Sequence, residues 1–379
     1  KNIIYVENTL EALWDLANYY KGLFNIPFIA VTGSVGKTTT KDMIAKVLQT
    51  RFNVLKTLGN FNNEIGLPLT LFNLNSDHEV GVVEMGMSGF GEIRRLANIV
   101  KPETAVITNI GISHIEKLGT KQNIAKAKLE ILEPLRKGDL AVLNADSFEL
   151  SEFSGTIIPR TVYYGIDNGD IKAEKIKSYG EKGIQFEIQG KYGNRIFKLP
   201  LPGRHNIYNA LPAIIVGFEA GLSYEEIQEG LLKLKSPHMR LEFKKAITGA
   251  TIIDDAYNAS PDSMRAALDI LSETEGKSKA CILGDMFELG KYSPVAHSDI
   301  GKYAADKTDI LIAIGENREY YAQGAAIGGL NSDKIYIFDT VTNALKEIET
   351  LVADSSVVLI KASRGMHLEK IVRRLAGRS

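Results

Sequence analysis

Pro27-Phe28-Ile29-Ala30-Val31-Thr32-Gly33-Ser34-Val35-Gly36-Lys37-Thr38-Thr39 is the stretch that sets the fold of this chain. Residues 27–31 form a short apolar run of the kind that makes a buried strand, and Thr38 to Leu48 has helical spacing. A glycine-bearing turn joins them. Between a buried strand and a helix N-terminus, successive backbone N–H groups can hold anionic phosphates. Lys37 would reach the outer phosphates and Thr38 would offer its hydroxyl to Mg²⁺. The strict G-x-x-x-x-G-K-[ST] spacing fails, because Val31 stands where the first glycine is required and Gly33 supplies the turn.

Outward from this loop the alternation continues. Apolar strands are expected at 80–83, 104–107 and 140–143, each joined to helical stretches, which argues for a largely parallel sheet covered by helices. Before the loop, residues 7–22 carry Leu10, Leu13, Trp14, Leu16 and Ala17 at helical spacing. Residues 155–200 change character: Ile171 to Ile188 alternates polar and apolar residues with glycines as turn points, as a small antiparallel insertion would. A helix is expected over Ala210 to Ala220. After Ser236-Pro237 strands near 250–254, 279–283, 309–314, 334–338 and 356–361 alternate with helices. The expected architecture is α/β, with a central phosphate-loop ATPase domain (25–238) and a Rossmann-like C-terminal domain (239–379), preceded by a helix and linker at 1–24.

Composition narrows the class. The 379 residues hold 45 Lys+Arg against 46 Asp+Glu, are 44% hydrophobic and include one cysteine. That apolar content supports packed cores, and near-neutral charge gives no general reason to bind nucleic acid. Cys281 alone makes neither an internal disulfide nor a cysteine zinc site. With no apolar run near the ~20 residues of a membrane span and no secretory pattern at Lys1-Asn2-Ile3-Ile4-Tyr5, a cytoplasmic, non-inserted monomer is expected.

Three further residues carry chemistry. Glu84 follows the strand at 80–83, so its carboxylate falls at the carboxyl edge where open α/β sheets bind ligands; it suits Mg²⁺, or it caps a helix. His114 lies just past the next strand, near the same edge. In the expected helix Lys121–Leu135, Lys128 interrupts the stripe of Ile124, Ala125, Ile131, Leu132 and Leu135. Its amine either snorkels to solvent or has a task at the nucleotide edge.

These segments together resemble the Mur ligase family. The resemblance rests on Thr32–Thr39, Gly59-Asn60-Phe61-Asn62-Asn63-Glu64-Ile65-Gly66, Glu84-Met85-Gly86, Thr108-Asn109-Ile110-Gly111 with His114, Ala127-Lys128-Leu129-Glu130, Gly203-Arg204-His205-Asn206 with Asn209, and Met239-Arg240-Leu241-Glu242. It continues through Asp254-Asp255-Ala256-Tyr257-Asn258-Ala259, Gly284-Asp285-Met286 and Lys361-Ala362-Ser363-Arg364-Gly365-Met366. The closest branch adds D-alanyl-D-alanine to a UDP-muramoyl tripeptide in peptidoglycan synthesis.

The resemblance implies an ATP-dependent amide ligase that activates a carboxylate as an acyl phosphate for attack by an amine. It assigns Gly33, Ser34, Val35, Gly36, Lys37, Thr38 and Thr39 to the phosphates, and Thr38, Glu84, His114 and Lys128 to two Mg²⁺ ions, with Lys128 carbamylated by CO₂. It assigns Asn209 to the adenine, Arg240, Asp255, Tyr257 and Asn258 to the nucleotide, and Asn60, Asn62 and Asn63 to the acceptor, although asparagines also form turns. Members of this branch carry an N-terminal domain of about a hundred residues that holds the UDP portion, of which only the first helix resembles the end. Two alternatives stay open: a stand-alone ligase with a different acceptor, and a nucleotide-binding regulatory module without catalysis.

Overall fold

The computed structural model describes residues 3–153, 157–235 and 238–377. The Ser236-Pro237 break expected at the domain boundary lies outside them. Two compact units emerge, the first built mainly from residues up to 234 and the second mainly from residue 235 onward.

The first unit is organised on a nine-stranded sheet. Its strands are β1 (Phe28–Thr32), β2 (Val54–Lys56), β3 (Val80–Glu84), β4 (Thr104–Ile107), β5 (Leu140–Asn144), β6 (Arg160–Gly165), β7 (Ile171–Ser178), β8 (Ile184–Gly190) and β9 (Arg195–Leu199), in the order β2-β3-β1-β4-β5-β6-β7-β8-β9. From β2 to β7 the pairings are parallel. Every residue of β1, β3 and β5 is buried, which is why these strands read as continuous apolar runs rather than alternating ones. The segment expected as a small antiparallel insertion supplies β7, β8 and β9, which continue the first sheet where β6 pairs with β7 through Tyr164 and Ile171.

The chain leaves β1 toward one edge of the sheet and β4 toward the other, so the loops after these neighbouring strands mark its switch point. The helix Thr9–Gly22 begins where Asn8 Oδ1 accepts from the Leu10 and Glu11 N–H groups. It is fastened to this unit by Trp14 Nε1 donating to the Glu64 carbonyl at 2.8 Å and by the Tyr20 hydroxyl donating to the Leu74 carbonyl at 2.9 Å. The helix expected to run to Leu135 ends at Leu129 and tightens into a 3₁₀ turn over Glu130–Leu132. Pro134 follows, and it can neither donate a backbone hydrogen bond nor leave its predecessor free to be helical.

The second unit has six strands: β10 (Glu242–Lys245), β11 (Thr251–Asp255), β12 (Lys279–Gly284), β13 (Ile310–Ile314), β14 (Ile335–Phe338) and β15 (Val357–Lys361). Their order is β10-β11-β15-β12-β13-β14, parallel except for the antiparallel β10–β11 pair. Ile252, Ile282, Ile312 and Ile360 from four adjacent strands share its core. No helix among the described residues is long and apolar enough to cross a membrane.

Within the first core, Gly81 of β3 faces Phe28 of β1, and a Cβ on Gly81 would stand 2.3 Å from the Phe28 ring. The strand pair therefore needs glycine for space. Gly81→Ala is expected to destabilise the first unit by about 1–3 kcal/mol through overpacking, read as a lower urea midpoint with an unchanged m-value.

Candidate active site

The loop after β1 is shaped by glycines with no room for a side chain. Gly33 has φ +149°, and a Cβ there would fall 1.8 Å from Thr108 Oγ1. Gly36 is left-handed at the start of the helix Lys37–Leu48, and its Cβ would lie 2.3 Å from Asn209 Oδ1. The segment after β4 holds the loop in place. Asn109 accepts the Ser34 N–H on its carbonyl at 3.0 Å and the Val35 N–H on Oδ1 at 2.9 Å, while the Thr108 hydroxyl donates to the Val35 carbonyl at 2.6 Å. Ser34 Oγ accepts the Gly111 N–H at 2.8 Å. The segment Thr108-Asn109-Ile110-Gly111 thus braces the loop, a role that its spacing in the sequence does not signal.

Two lysine amines meet at one backbone oxygen. Lys37 Nζ donates to the Gly33 carbonyl at 2.8 Å and Lys128 Nζ donates to the same oxygen at 2.9 Å. Lys128 is 1% exposed, so its amine reaches the nucleotide edge rather than solvent. Burial, with the Lys37 ammonium second, pushes the Lys128 amine well below the ordinary lysine range.

Glu84 closes the same rim. It is the last residue of β3, in register with Val31 of β1, and is 2% exposed. Its N–H donates to Thr57 Oγ1 at 3.0 Å, and Oε1 accepts from Asn62 Nδ2 at 2.7 Å. Oε2 is buried with no hydrogen-bond partner. An orphaned carboxylate oxygen in such a position is costly unless something binds it, and a hard divalent cation suits it. Thr38 lies in the first turn of the loop helix. His114 is half-buried at φ +64°, where its carbonyl starts the short helix Ile115–Leu118.

Asn209 is 7% exposed on the helix His205–Glu219; its Oδ1 accepts the Thr40 hydroxyl at 3.2 Å and its Nδ2 donates to Asn206. Of the other asparagines, Asn63 Oδ1 accepts the Gly66 N–H at 2.8 Å, and Asn60 is exposed. A buried lysine that sequence reading passed over, Lys41, donates to the Thr57 carbonyl at 2.8 Å and so supports the residue that holds Glu84. Its spacing carried a signal, since Lys41 shares the i, i+3, i+4, i+7 stripe of Ile44, Ala45 and Leu48, all buried.

The second unit carries its own cluster. Lys361, at the end of β15, pairs in the interior with Asp255 at the end of β11 and donates to the Asn258 carbonyl at 2.9 Å. The Arg240 guanidinium stands 4.3 Å from the centre of the Tyr257 ring, between Met239 and Leu241, both in left-handed backbone. A separate cavity of about 460 Å³ opens beyond β12 and β13, with Glu288, Glu316 and Asp339 among its walls. Asp285 shapes it by accepting the Glu316 and Asn317 N–H groups at 2.9 and 3.0 Å.

A braced phosphate loop with a buried amine and a carboxylate at one rim defines a nucleotide-binding α/β protein. Residues 31–217 match the Mur ligase middle domain and residues 239–364 the Mur ligase, glutamate ligase domain. The chain is 40% identical over 375 residues to the UDP-N-acetylmuramoyl-tripeptide–D-alanyl-D-alanine ligase of Bacillus subtilis (strain 168), covering 98% of this chain and 81% of that protein. The corresponding Escherichia coli (strain K12) enzyme is 33% identical, with 98% and 81% covered. Among solved structures, MurF from Acinetobacter baumannii superposes with a TM-score of 0.92 at 32% identity, covering 99% of this chain and 82% of that one. MurF from Thermotoga maritima in complex with ADP does so at 0.85 and 28%, covering 100% and 87%. The chain belongs to the Mur ligase family.

The buried amine gives a stability test. Because the folded state depresses the Lys128 pKa, the unfolded chain binds more protons between that value and the ordinary lysine value of about 10.4. This penalty is full below the depressed pKa and fades as pH rises toward 10. In bicarbonate-free buffer, Lys128→Met should therefore raise the unfolding free energy at pH 7 by roughly 1–3 kcal/mol, read as a higher urea midpoint, and the gain should shrink by pH 10.

Proposed function

We propose that this chain is an ATP-dependent ligase that joins D-alanyl-D-alanine to the terminal carboxylate of a UDP-muramoyl tripeptide. A carboxylate at neutral pH resists attack by an amine. Transfer of the γ-phosphoryl group of ATP onto its oxygen gives an acyl phosphate and ADP. The amine then adds to the acyl carbon, and the tetrahedral intermediate expels phosphate to leave the amide. Such chemistry rests on positioning and charge neutralisation.

The observation that supports this most is the rim shared by Lys37, Lys128 and the bare Oε2 of Glu84. Gly33 to Thr39 would cradle the phosphates, with Lys37 leaving the Gly33 carbonyl for the phosphate it neutralises. Thr38, Glu84 and His114 would hold Mg²⁺, which when bound spreads the charge of the transferring group. A lysine amine whose pKa is lowered by burial gives up its proton more readily, and the free amine is nucleophilic. Lys128 can add to CO₂ with loss of a proton, exchanging a buried amine for an anionic oxygen donor. Asn209 is assigned to the adenine, and Arg240, Asp255, Tyr257 and Asn258 to the nucleotide, with Tyr257 and Arg240 pre-stacked. The carboxylates around the cavity of the second unit would draw in a protonated amine. The domain limits 25–238 and 239–379 are proposed with this assignment.

Phosphate release with ATP and Mg²⁺ should require both UDP-muramoyl tripeptide and D-alanyl-D-alanine. Release with neither partner would mark a simple nucleotidase, and reaction with a different carboxylate alone would replace the acceptor. Lys128→Ala should lower kcat by at least about 10²-fold with no recovery on adding bicarbonate; unchanged turnover would remove Lys128 from the site.

A further inference from the structure

Asn62 occupies an unusual place for a residue in an asparagine-rich turn. Its neighbours Asn60 and Asn63 are exposed, whereas Asn62 is half-buried and turned inward. The turn is tight: the Asn62 N–H donates to the Asn60 carbonyl at 2.7 Å, and Gly66 lies so near that a Cβ on it would fall 2.4 Å from Phe61 Cα. From there the Asn62 amide reaches Glu84 Oε1 at 2.7 Å. The Asn62 carbonyl accepts the Gly86 N–H at 2.7 Å, so Asn62 grips the β3 end on both sides of Met85. Gly86 leaves the space: a Cβ on it would stand 3.1 Å from the Asn62 side-chain amide.

The two carboxylate oxygens are thereby made unequal. Oε1 is held by Asn62, while Oε2 is buried and bare. A carboxylate gripped by one oxygen cannot swing to offer both, so a cation would meet a single oxygen in a fixed direction. Ligands held in this way by a neighbouring hydrogen bond bind more tightly, because the rotamer is fixed in advance.

We propose that Asn62 is a positioning residue that makes Glu84 a one-oxygen metal ligand, so that this asparagine acts through the cation and not by touching the acceptor. The inference rests on the reading of Glu84 as a metal ligand. Lys41 and Thr57 complete the support from the other side, with the lysine on the Thr57 carbonyl and the Thr57 hydroxyl on the Glu84 N–H.

Manganese in place of magnesium gives a readout independent of turnover. Free Mn²⁺, followed by electron paramagnetic resonance as the ADP-loaded chain is titrated, measures affinity directly. Asn62→Leu keeps the approximate volume and removes the donor; it should weaken Mn²⁺ binding by about 10–100-fold and lower kcat, while KM for the acceptor stays near its wild-type value. Asn62→Ser, which also loses the reach to Glu84, should do the same, and matching urea midpoints would show that either variant is folded. Wild-type Mn²⁺ affinity in a folded Asn62 variant, with a raised acceptor KM, would overturn the proposal in favour of direct acceptor contact. Glu84→Gln separates the two levels. It should abolish the Asn62-sensitive site, and unchanged Mn²⁺ binding in Glu84→Gln would refute the metal reading of Glu84 and this inference with it.

Discussion

A lysine amine in the interior with a backbone carbonyl as its partner is the constraint on which the first unit turns. Lys128 is placed by the helix Lys121–Leu129, and the apolar residues Ile124, Ala125 and Ala127 around it bury that helix. The carbonyl it meets belongs to Gly33, where the chain leaves β1 at a φ that side chains avoid. Lys37 bonds to the same oxygen. Burial, and after it the Lys37 ammonium at the same oxygen, disfavours the charged form of the Lys128 amine. Loop shape, helix placement and the depressed pKa of Lys128 are consequently a single arrangement.

That arrangement is tolerable only because the loop is over-determined elsewhere. Thr108 and Asn109 hold Ser34 and Val35, and Asn209 leaves no space beside Gly36. These braces come from the segment after β4 and from the helix His205–Glu219, and the parallel register of β1 with β3 and β4 brings the strand ends level. The site is thus a product of sheet order before it is a product of motif.

The phosphate loop, most strands of both sheets and the place of Lys128 on an apolar stripe were legible because each depends on local spacing: an apolar run, a glycine turn, an i, i+3, i+4 stripe. Strands β2, β6, β9 and β10 were not, and the stripe alone left the Lys128 amine open between solvent and interior. Lys41 stands on the stripe of Ile44, Ala45 and Leu48, so its burial fell under the same rule, but its hold on the Thr57 carbonyl did not. The role of Asn62 was likewise hidden, since its partner Glu84 is 22 residues away on β3. The extension of the first sheet by β6 to β9 was also hidden, since alternation predicts strands but says nothing about which edge they join. Where a residue's role is set by a neighbour distant in sequence, composition and period carry no trace of it.

The charge balance of the rim carries the argument one step further. Besides Lys128, the residues at the Gly33–Glu84 rim bring one cation, Lys37, and one anion, Glu84. Under the proposed mechanism, carbamylation of Lys128 adds a second anion. A divalent ion is then attracted more strongly, and by linkage the bound ion holds the carbamate in turn by the same free energy. Because Asn62 has already fixed one oxygen of Glu84, the coupling is expressed through a rigid ligand rather than dissipated in side-chain motion. The depressed amine, the bare oxygen and the asparagine that directs it are in this sense parts of one device, in which the cost of burying ionisable groups is offset only when the cation arrives.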